Sequence, residues 1–385
     1  MAAVDVMSRV LFHVQHLLGI GHQSRAAAIT RAMTAAGLDV IYVTGGFPDA
    51  TLDLGGATVT QLPPARARDA TFKTVLDETG RPIDDAWETR RRDALLAAYR
   101  TAKPDVILIE GYPFARRRFR FELLPLLQAA KDDGARVAVS VRDIVAQKTN
   151  PARARETIDI VHRFCTAVLV HGDAAFIPFD AAFPAAADIA DKIRYTGYVS
   201  PPFAPDPGTP RRDGVVVSVG GGAVGGPLLR CALAARPLTC LRDAPWRFMT
   251  GPNLPESDRR ALAASDGVSI EQFSPNFRLL LSHSAASISQ AGYNTVMDLL
   301  ATRTPAVLVP FSQEGETEQT TRAEVLALLS GFNFVPEPEL TVERLAGALD
   351  EVALDYPAST PFGPINMNGA VETAKVMLHL ATLKH

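Results

Sequence analysis

Short runs of aliphatic and β-branched residues recur along the chain, each followed by an Ala- and Leu-rich stretch with apolar positions three and four apart. In the first half these runs are 9–14 (RVLFHV), 40–43, 106–110, 137–141 and 167–171; in the second they are 215–219, 246–250, 268–273, 286–290, 306–309 and 332–335. Apolar runs of strand length alternating with amphipathic helices are the pattern of βαβ units around a parallel sheet. The expected fold class is α/β, with two Rossmann-like, doubly wound domains in tandem. Such a pair is expected to face across a cleft formed by the carboxyl ends of its strands, where open α/β sheets bind ligands.

The boundary between the halves is marked by proline. Residues 198–213, YVSPPFAPDPGTPRRD, hold five prolines in sixteen positions, and proline blocks helix while allowing extended chain. The expected division is an N-terminal domain over 1–200, a linker over 201–212, a C-terminal domain over 213–362 and a last helix within 363–385. That helix has apolar positions at Ala370, Val371, Ala374, Val376, Met377 and Leu380.

Composition narrows the function. A chain of 385 residues with 47% hydrophobic and 21% charged positions has material for two ordinary cores. Its net charge of −3 leaves no cationic excess to neutralise a phosphate backbone, which argues against a nucleic-acid partner. Cys165, Cys231 and Cys240 are odd in number, widely spaced and in apolar surroundings, as reduced core residues of a cytoplasmic protein would be. The expectation is no signal peptide and no spanning segment, with peripheral contact to a membrane left open.

The first run leads into Gly19-Ile20-Gly21-His22 and an amphipathic helix. Glycine there permits close backbone approach, and the amides of the helix start favour a polar or anionic ligand. His22, at the first turn, is the candidate general base because imidazole takes up a proton near neutral pH; capping or orienting a substrate is the alternative. His13 and His16 precede the turn and are read as packing or loop residues. Gly21 and Arg25, one turn beyond His22, are placed on the acceptor side, with a solvated arginine as the other reading.

Two further glycine turns follow. Gly220, Gly221 and Gly222 lie between a β-forming run and a helix, without the Lys-Ser/Thr ending of a P-loop and without a clean GxGxxG and ribose-binding acid. ATP hydrolysis and a nicotinamide cofactor are therefore disfavoured. In SISQAGYNTVMD, Gln290 ends a strand, Gly292 turns the chain, Tyr293, Asn294 and Thr295 open a helix, and Asp298 follows one turn on. Diphosphate at the amides and ribose hydroxyls at the carboxylate is the natural pairing. Glu318, Gln319 and Arg322 open the next helix and could present an acceptor, an amide and a cation to the same ligand.

This block resembles the C-terminal domain of GT-B glycosyltransferases related to the peptidoglycan enzyme that transfers N-acetylglucosamine to a lipid-linked acceptor. The matching order here is Gly292, Asn294, Thr295, Asp298, Pro310 and Gln319, with Asp298 where the family usually has glutamate and Glu318-Gln319 where it has His-Gln or Gln-Gln. The resemblance implies a GT-B fold, a clamp for the base near Phe273, a donor contact at Thr250 and Gly251, and a last helix that crosses back to the first domain. The stretches IEGYPFARRRFRFELLPLL and SVRDI are similar to a branch of predicted bacterial glycosyltransferases.

On the acceptor side, Glu110 and Tyr112 close one strand and Arg142 and Asp143 another, while Arg116, Arg117 and Arg118 are either a site for an acidic acceptor or a solvated run. The function expected is transfer of a sugar from a nucleotide-diphosphate sugar, UDP favoured, to a small-molecule or lipid-linked acceptor, with inversion. It needs no cofactor, and no Asp-x-Asp, Cys or His spacing points to a metal. The alternatives are a nucleotide-sugar hydrolase or epimerase, a non-catalytic nucleotide-sugar-binding protein, and a dinucleotide-dependent oxidoreductase.

Overall fold

The computed structural model describes residues 7–17, 21–68, 74–145, 151–200, 203, 212–221, 224–262, 267–312, 317–355 and 365–383, with side chains for all but 21, 22 and 355. The chain divides into two compact units, Met1–Ser200 with Asn366–His385 and Pro201–Ile365. Most of the proline-rich run 201–212 lies outside the described residues.

In the first unit the strands are β1 (Arg9–Val14), β2 (Asp39–Thr44), β3 (Thr58–Gln61), β4 (Arg66–Ala67), β5 (Val75–Leu76), β6 (Val106–Glu110), β7 (Arg136–Arg142), β8 (Ala167–His171) and β9 (Ile193–Tyr195). Seven of them form one parallel sheet in the order β3-β2-β1-β6-β7-β8-β9, and β4 with β5 make a separate antiparallel pair. The order reverses between β1 and β6, as in a doubly wound sheet. Alternate residues point to opposite faces. Val10, Phe12 and Val14 pack with Ala26, Ile29 and Met33 of the helix Gly21–Ala35, while Leu11, Ile107 and Ile109 pack with Trp87, Leu95 and Leu123 of the helices on the other face.

The last helix, Gly369–Thr382, belongs to this first unit. Ala374, Met377 and Leu380 are buried in the cluster of Val10, Phe12 and Ile29. Arg136 Nη1 donates to the carbonyl of Leu380 at 3.1 Å, and the returning chain is stitched to residues 197–199 by Tyr198 N to Asn366 O (2.7 Å) and Gly369 N to Tyr198 O (2.9 Å). A Cβ at Gly369 would lie 2.2 Å from the carbonyl oxygen of Gly197, so only glycine lets the two backbones come this close.

The second unit contains β10 (Val215–Ser218), β11 (Trp246–Met249), β12 (Val268–Glu271), β13 (Ala286–Ser289), β14 (Ala306–Leu308) and β15 (Phe332–Phe334), in one parallel sheet ordered β12-β11-β10-β13-β14-β15. Its core joins Val215, Val217, Trp246, Phe248 and Ile288 to Leu228, Leu229 and Leu349 of the covering helices.

Every apolar run of the sequence became a strand; β3, β9 and the β4-β5 pair are additions. β3 reads TVTQ and is exposed at three of its four positions, and β9 is exposed at Arg194 and Tyr195. Edge strands pair on one side only and need no continuous apolar run, so they leave little trace in the pattern. Of the cysteines, Cys165 is buried, whereas Cys240 is exposed and so is not a core residue; it lies in a turn where its amide donates to Asp350 Oδ1 at 2.8 Å.

The placement of the last helix predicts the effect of Met377→Ala. Losing this fully buried side chain should cost the first unit about 2–5 kcal/mol. Trp87 and Trp246 are the two tryptophans, one in each unit, so urea unfolding followed by fluorescence in Trp246→Phe and Trp87→Phe backgrounds reads the units separately. An unmoved Trp87 transition would contradict the packing.

Candidate functional site

In the second unit the sequence-predicted donor residues gather along one edge of the sheet, at the carboxyl ends of β10 to β14. β13 ends at Ser289, and Gln290, Ala291 and Gly292 turn the chain into the helix Tyr293–Thr302. Gly292 is the N-cap, with φ −63° and ψ 147°, and no side chain caps the helix. A helix cannot bond its own first amides, and its N-terminal end carries partial positive charge. Residues 293–295 therefore present an end suited to an anion.

The turn is held from behind. Arg322 is fully buried in the helix Glu318–Leu326, where Nη1 donates to the carbonyl of Ala291 at 3.1 Å and Nη2 to Glu318 Oε1 at 3.0 Å. Its guanidinium carbon lies 5.5 Å from the centre of the Tyr293 ring. The side chain predicted to face the diphosphate instead has its planar fork spent on the turn, because the carbonyl at Ala291 and the carboxylate of Glu318 match its donors. Gln319 Oε1 accepts from Phe311 N at 3.2 Å and so ties down the chain beyond β14.

Asp298 accepts from Arg278 Nε at 2.6 Å, with each side chain 20% exposed. Burial pushes the Asp298 carboxyl above the ordinary range, and Arg278 acts against that. Beyond β10, Gly220 has φ +56°, and among the described residues Cβ atoms at Gly220 and Gly221 would meet nothing closer than 3.9 Å. Beyond β11, Thr250 is buried with its hydroxyl on the Glu271 carbonyl at 3.3 Å, and Gly251 has φ +71°. Phe273, beyond β12, is 73% exposed, an aromatic face left uncovered by its own unit. Gly222 lies outside the described residues.

In the first unit the carboxyl ends of the strands hold a buried polar layer under the helix Gly21–Ala35. Arg25 Nη2 donates to Glu110 Oε1 at 2.6 Å, both nearly inaccessible, and Arg116 Nε lies 3.6 Å from Glu110 Oε2. Next to this pair His171 is fully buried, with Nε2 2.7 Å from Ser140 Oγ and Nδ1 2.9 Å from Thr196 Oγ1. Burial, helped by the Arg25 charge and opposed by Glu110, pulls its pKa down to about 3. Asp143 is buried, with Oδ1 accepting from Ile144 N and Oδ2 from Tyr198 Oη at 3.3 Å. Tyr112 is buried too, and among the described residues nothing bonds its hydroxyl.

Glu110, Tyr112 and Asp143 therefore lie at or just beyond strand ends, with Arg25 reaching them from the helix, and all four are closed to solvent, while Arg142 is half-buried. The arginine run is neutralised from within: Arg117 pairs with Glu156, Arg118 with Glu88 at 2.6 Å, and Arg116 faces Glu110. It is not a bare cationic patch. Gly19 lies outside the described residues, and of Gly21 and His22 only the helical backbone is described.

One cluster escaped the sequence reading. Arg91, in the helix Asp85–Ala102, and Glu122, in the helix Arg120–Asp132, are fully buried and paired through Nε to Oε2 at 2.7 Å and Nη2 to Oε1 at 3.0 Å. His13 Nε2 lies 3.5 Å from Glu122 Oε1. Burial works to raise the Glu122 carboxyl, but Arg91 and His13 outweigh it and hold its pKa low. Arg91 sits in a run, ETRRRD, that reads as a solvated helix face; the sole signal was its position four residues before Leu95 on the apolar side of the helix.

Residues 216–375 match the glycosyltransferase family 28 C-terminal domain. The chain is 26% identical over 353 residues, 86% of each chain, to the UDP-N-acetylglucosamine--N-acetylmuramyl-(pentapeptide) pyrophosphoryl-undecaprenol N-acetylglucosamine transferase of Phenylobacterium zucineum (strain HLK1). To the protein of the same name from Chelativorans sp. (strain BNC1) it is 34% identical over 107 residues, 27% of this chain and 28% of that one. Its alignments to the namesakes from Lactiplantibacillus plantarum and Aromatoleum aromaticum span 34% and 19% of those proteins' lengths. Among solved structures it resembles the calicheamicin glycosyltransferase CalG4 (TM-score 0.62, 16% identity, 98% of this chain and 95% of that one) and Acinetobacter baumannii MurG (TM-score 0.62, 15% identity, 96% and 99%).

The two wound parallel sheets and these likenesses define the class: the chain has the GT-B fold, built from two Rossmann-like domains. Within that class it is related to the MurG-type N-acetylglucosaminyltransferases, and its match to the family 28 C-terminal domain covers most of the second unit and runs on into the last helix.

His171 supplies a pH prediction for the first unit. Its native pKa of about 3 lies below the ordinary 6.5, so between those values the unfolded chain binds a proton that the native unit refuses. Its contribution is fully present above pH 6.5 and is lost as pH falls toward 3. As pH falls through that window the stability of the first unit should drop by up to about 1.4 kcal/mol per pH unit from this group, and His171→Gln should flatten the slope. An identical slope in the variant would assign the proton elsewhere.

Proposed function

We propose that the chain is a glycosyltransferase that takes a sugar from a nucleotide-diphosphate donor, a UDP-sugar in the first instance, and passes it with inversion to a small-molecule or lipid-linked acceptor. The observation that carries this reading is the uncapped helix Tyr293–Thr302, which opens from β13 inside a family 28 domain with glycine turns and an exposed aromatic on the same sheet edge. In this reading the diphosphate lies on the amides of 293–295, where the helix end stabilises the charge that develops on the leaving oxygens. Arg322 keeps those amides in place by holding the carbonyl of Ala291. Asp298 takes the ribose hydroxyls, with Arg278 fixing its rotamer, and Phe273 lies against the base.

His22 is the proposed base that takes the proton from the acceptor hydroxyl, and the reaction needs no metal. UDP is favoured because the relatives' names specify UDP-N-acetylglucosamine. Among the described residues no helix is long and apolar enough to cross a membrane, and the protein is proposed to work in the cytoplasm, meeting a lipid-linked acceptor by peripheral contact.

Melting in the presence of UDP, GDP, dTDP, ADP and NAD should show stabilisation by UDP, approaching about 2.7 kcal/mol at a hundred times Kd. Asp298→Ala should abolish it and a chelator should not. No shift with any nucleoside diphosphate at millimolar concentration overturns the reading. His22→Ala should keep the UDP shift while transfer falls by about 10²–10⁴-fold. Full turnover in that variant would remove His22 as base, and free sugar released without transfer would identify a hydrolase.

A further inference from the structure

The Arg91 guanidinium uses all five of its N–H groups inside the first unit. Besides the two bonds to Glu122, Nη1 donates to the carbonyls of Gly45 and Pro63, each at 2.8 Å, and Nη2 donates to Gln15 Oε1. Gln15 follows β1, Gly45 follows β2, and Pro63 comes two residues after β3. One cation therefore joins the exits of three neighbouring parallel strands. Gln15 passes the constraint on, since its Nε2 donates to the carbonyl of His16 at 2.6 Å.

The surroundings are shaped for this group. A Cβ at Gly45 would lie 2.1 Å from both Arg91 Nη2 and Gln15 Oε1, so glycine is required for the guanidinium to reach the strand exits. Trp87 and Phe119 cover it, with ring centres 5.2 and 4.8 Å from its central carbon. A buried ion pair is a poor source of stability, because desolvating both partners offsets their attraction and apolar residues of similar size often serve as well. What apolar residues cannot do is specify where three carbonyl-bearing loops stop. The β1 exit is the one that leads into the helix Gly21–Ala35, which carries His22.

We infer that Arg91, held by Glu122, is a positioning residue that fixes the exit of β1 and thereby the start of the helix bearing His22. The catalytic part of this inference rests on the reading of His22 as base; the positioning part does not.

Hydrogen exchange on the full-length protein tests the positioning directly. In Arg91→Met the amides of residues 25–29, the first hydrogen-bonded amides of the helix Gly21–Ala35, should exchange roughly tenfold faster, while β6 to β8 and the second unit keep their protection and the UDP melting shift is retained. Gln15→Met, which leaves the Arg91–Glu122 pair in place, should speed the same amides, and it serves if Arg91→Met fails to fold. Exchange unchanged at 25–29, or raised evenly through the first unit, overturns the inference. UDP release from UDP-N-acetylglucosamine, with water as acceptor, then tests the link to His22. Water forms the new bond to C1, UDP departs with the bridging oxygen, and the water proton passes to the base. Arg91→Met should slow release about tenfold, and Arg91→Met with His22→Ala should be no slower than His22→Ala alone. Losses that multiply overturn the link. Unaltered release in His22→Ala overturns the base reading alone, with the exchange result still deciding the positioning.

Discussion

A parallel sheet has to be covered on both faces, because its strands are buried apolar runs joined by crossovers that lie against them. Much of this molecule follows from that requirement. Every crossover returns the chain to the start of the next strand, so all strand exits fall on one edge, and the residues that end strands are brought together whatever their distance in sequence. Glu110, Ser140 and His171 are thirty residues apart or nearly so along the chain, yet neighbouring strand ends put Ser140 in contact with His171 and the Arg25–Glu110 pair beside it. The same requirement explains the last helix. The face of the first sheet that bears Val10 and Phe12 is completed by Ala374, Met377 and Leu380 from the far end of the chain.

The two units treat buried charge alike, although their ligands differ in the proposed function. Arg91 with Glu122, Arg25 with Glu110 and Arg322 with Glu318 each set an arginine against a carboxylate in a site closed to solvent. The Arg91 and Arg322 guanidinium groups also reach backbone carbonyls beyond the end of a strand: Gly45 and Pro63 for Arg91, Ala291 for Arg322. Arginine suits the task because its donors are fixed in a plane, so each bond restricts the direction of the next. These groups set loop geometry at some expense in desolvation.

Within the second unit the same logic builds a helix end suited to an anion out of ordinary parts. The strand-turn-helix at β13 leaves its helix uncapped, Arg322 holds the turn beneath it, and Arg278 fixes Asp298 one turn along. Gly220 and Gly221 carry bare backbone and Phe273 an uncovered aromatic on the same edge of the sheet.

The sequence alone determined the α/β class, the central strands of both sheets and the turn at Gly292, because continuous apolar runs and glycine act locally, through burial and backbone freedom. It also singled out Arg25, Glu110, Asp143 and Arg322, but not what they do. Whether a charged side chain faces solvent depends on which element packs above it, and Arg91, though spaced with Trp87, Leu95 and Tyr99, lies in a run of charges whose other members face water. The edge strands β3 and β9 were invisible for the related reason that a strand paired on one side needs no apolar run. Only the tertiary structure decided that Arg322 supports a turn and that the arginines at 116–118 are already paired, since each depends on contacts between residues far apart in the chain.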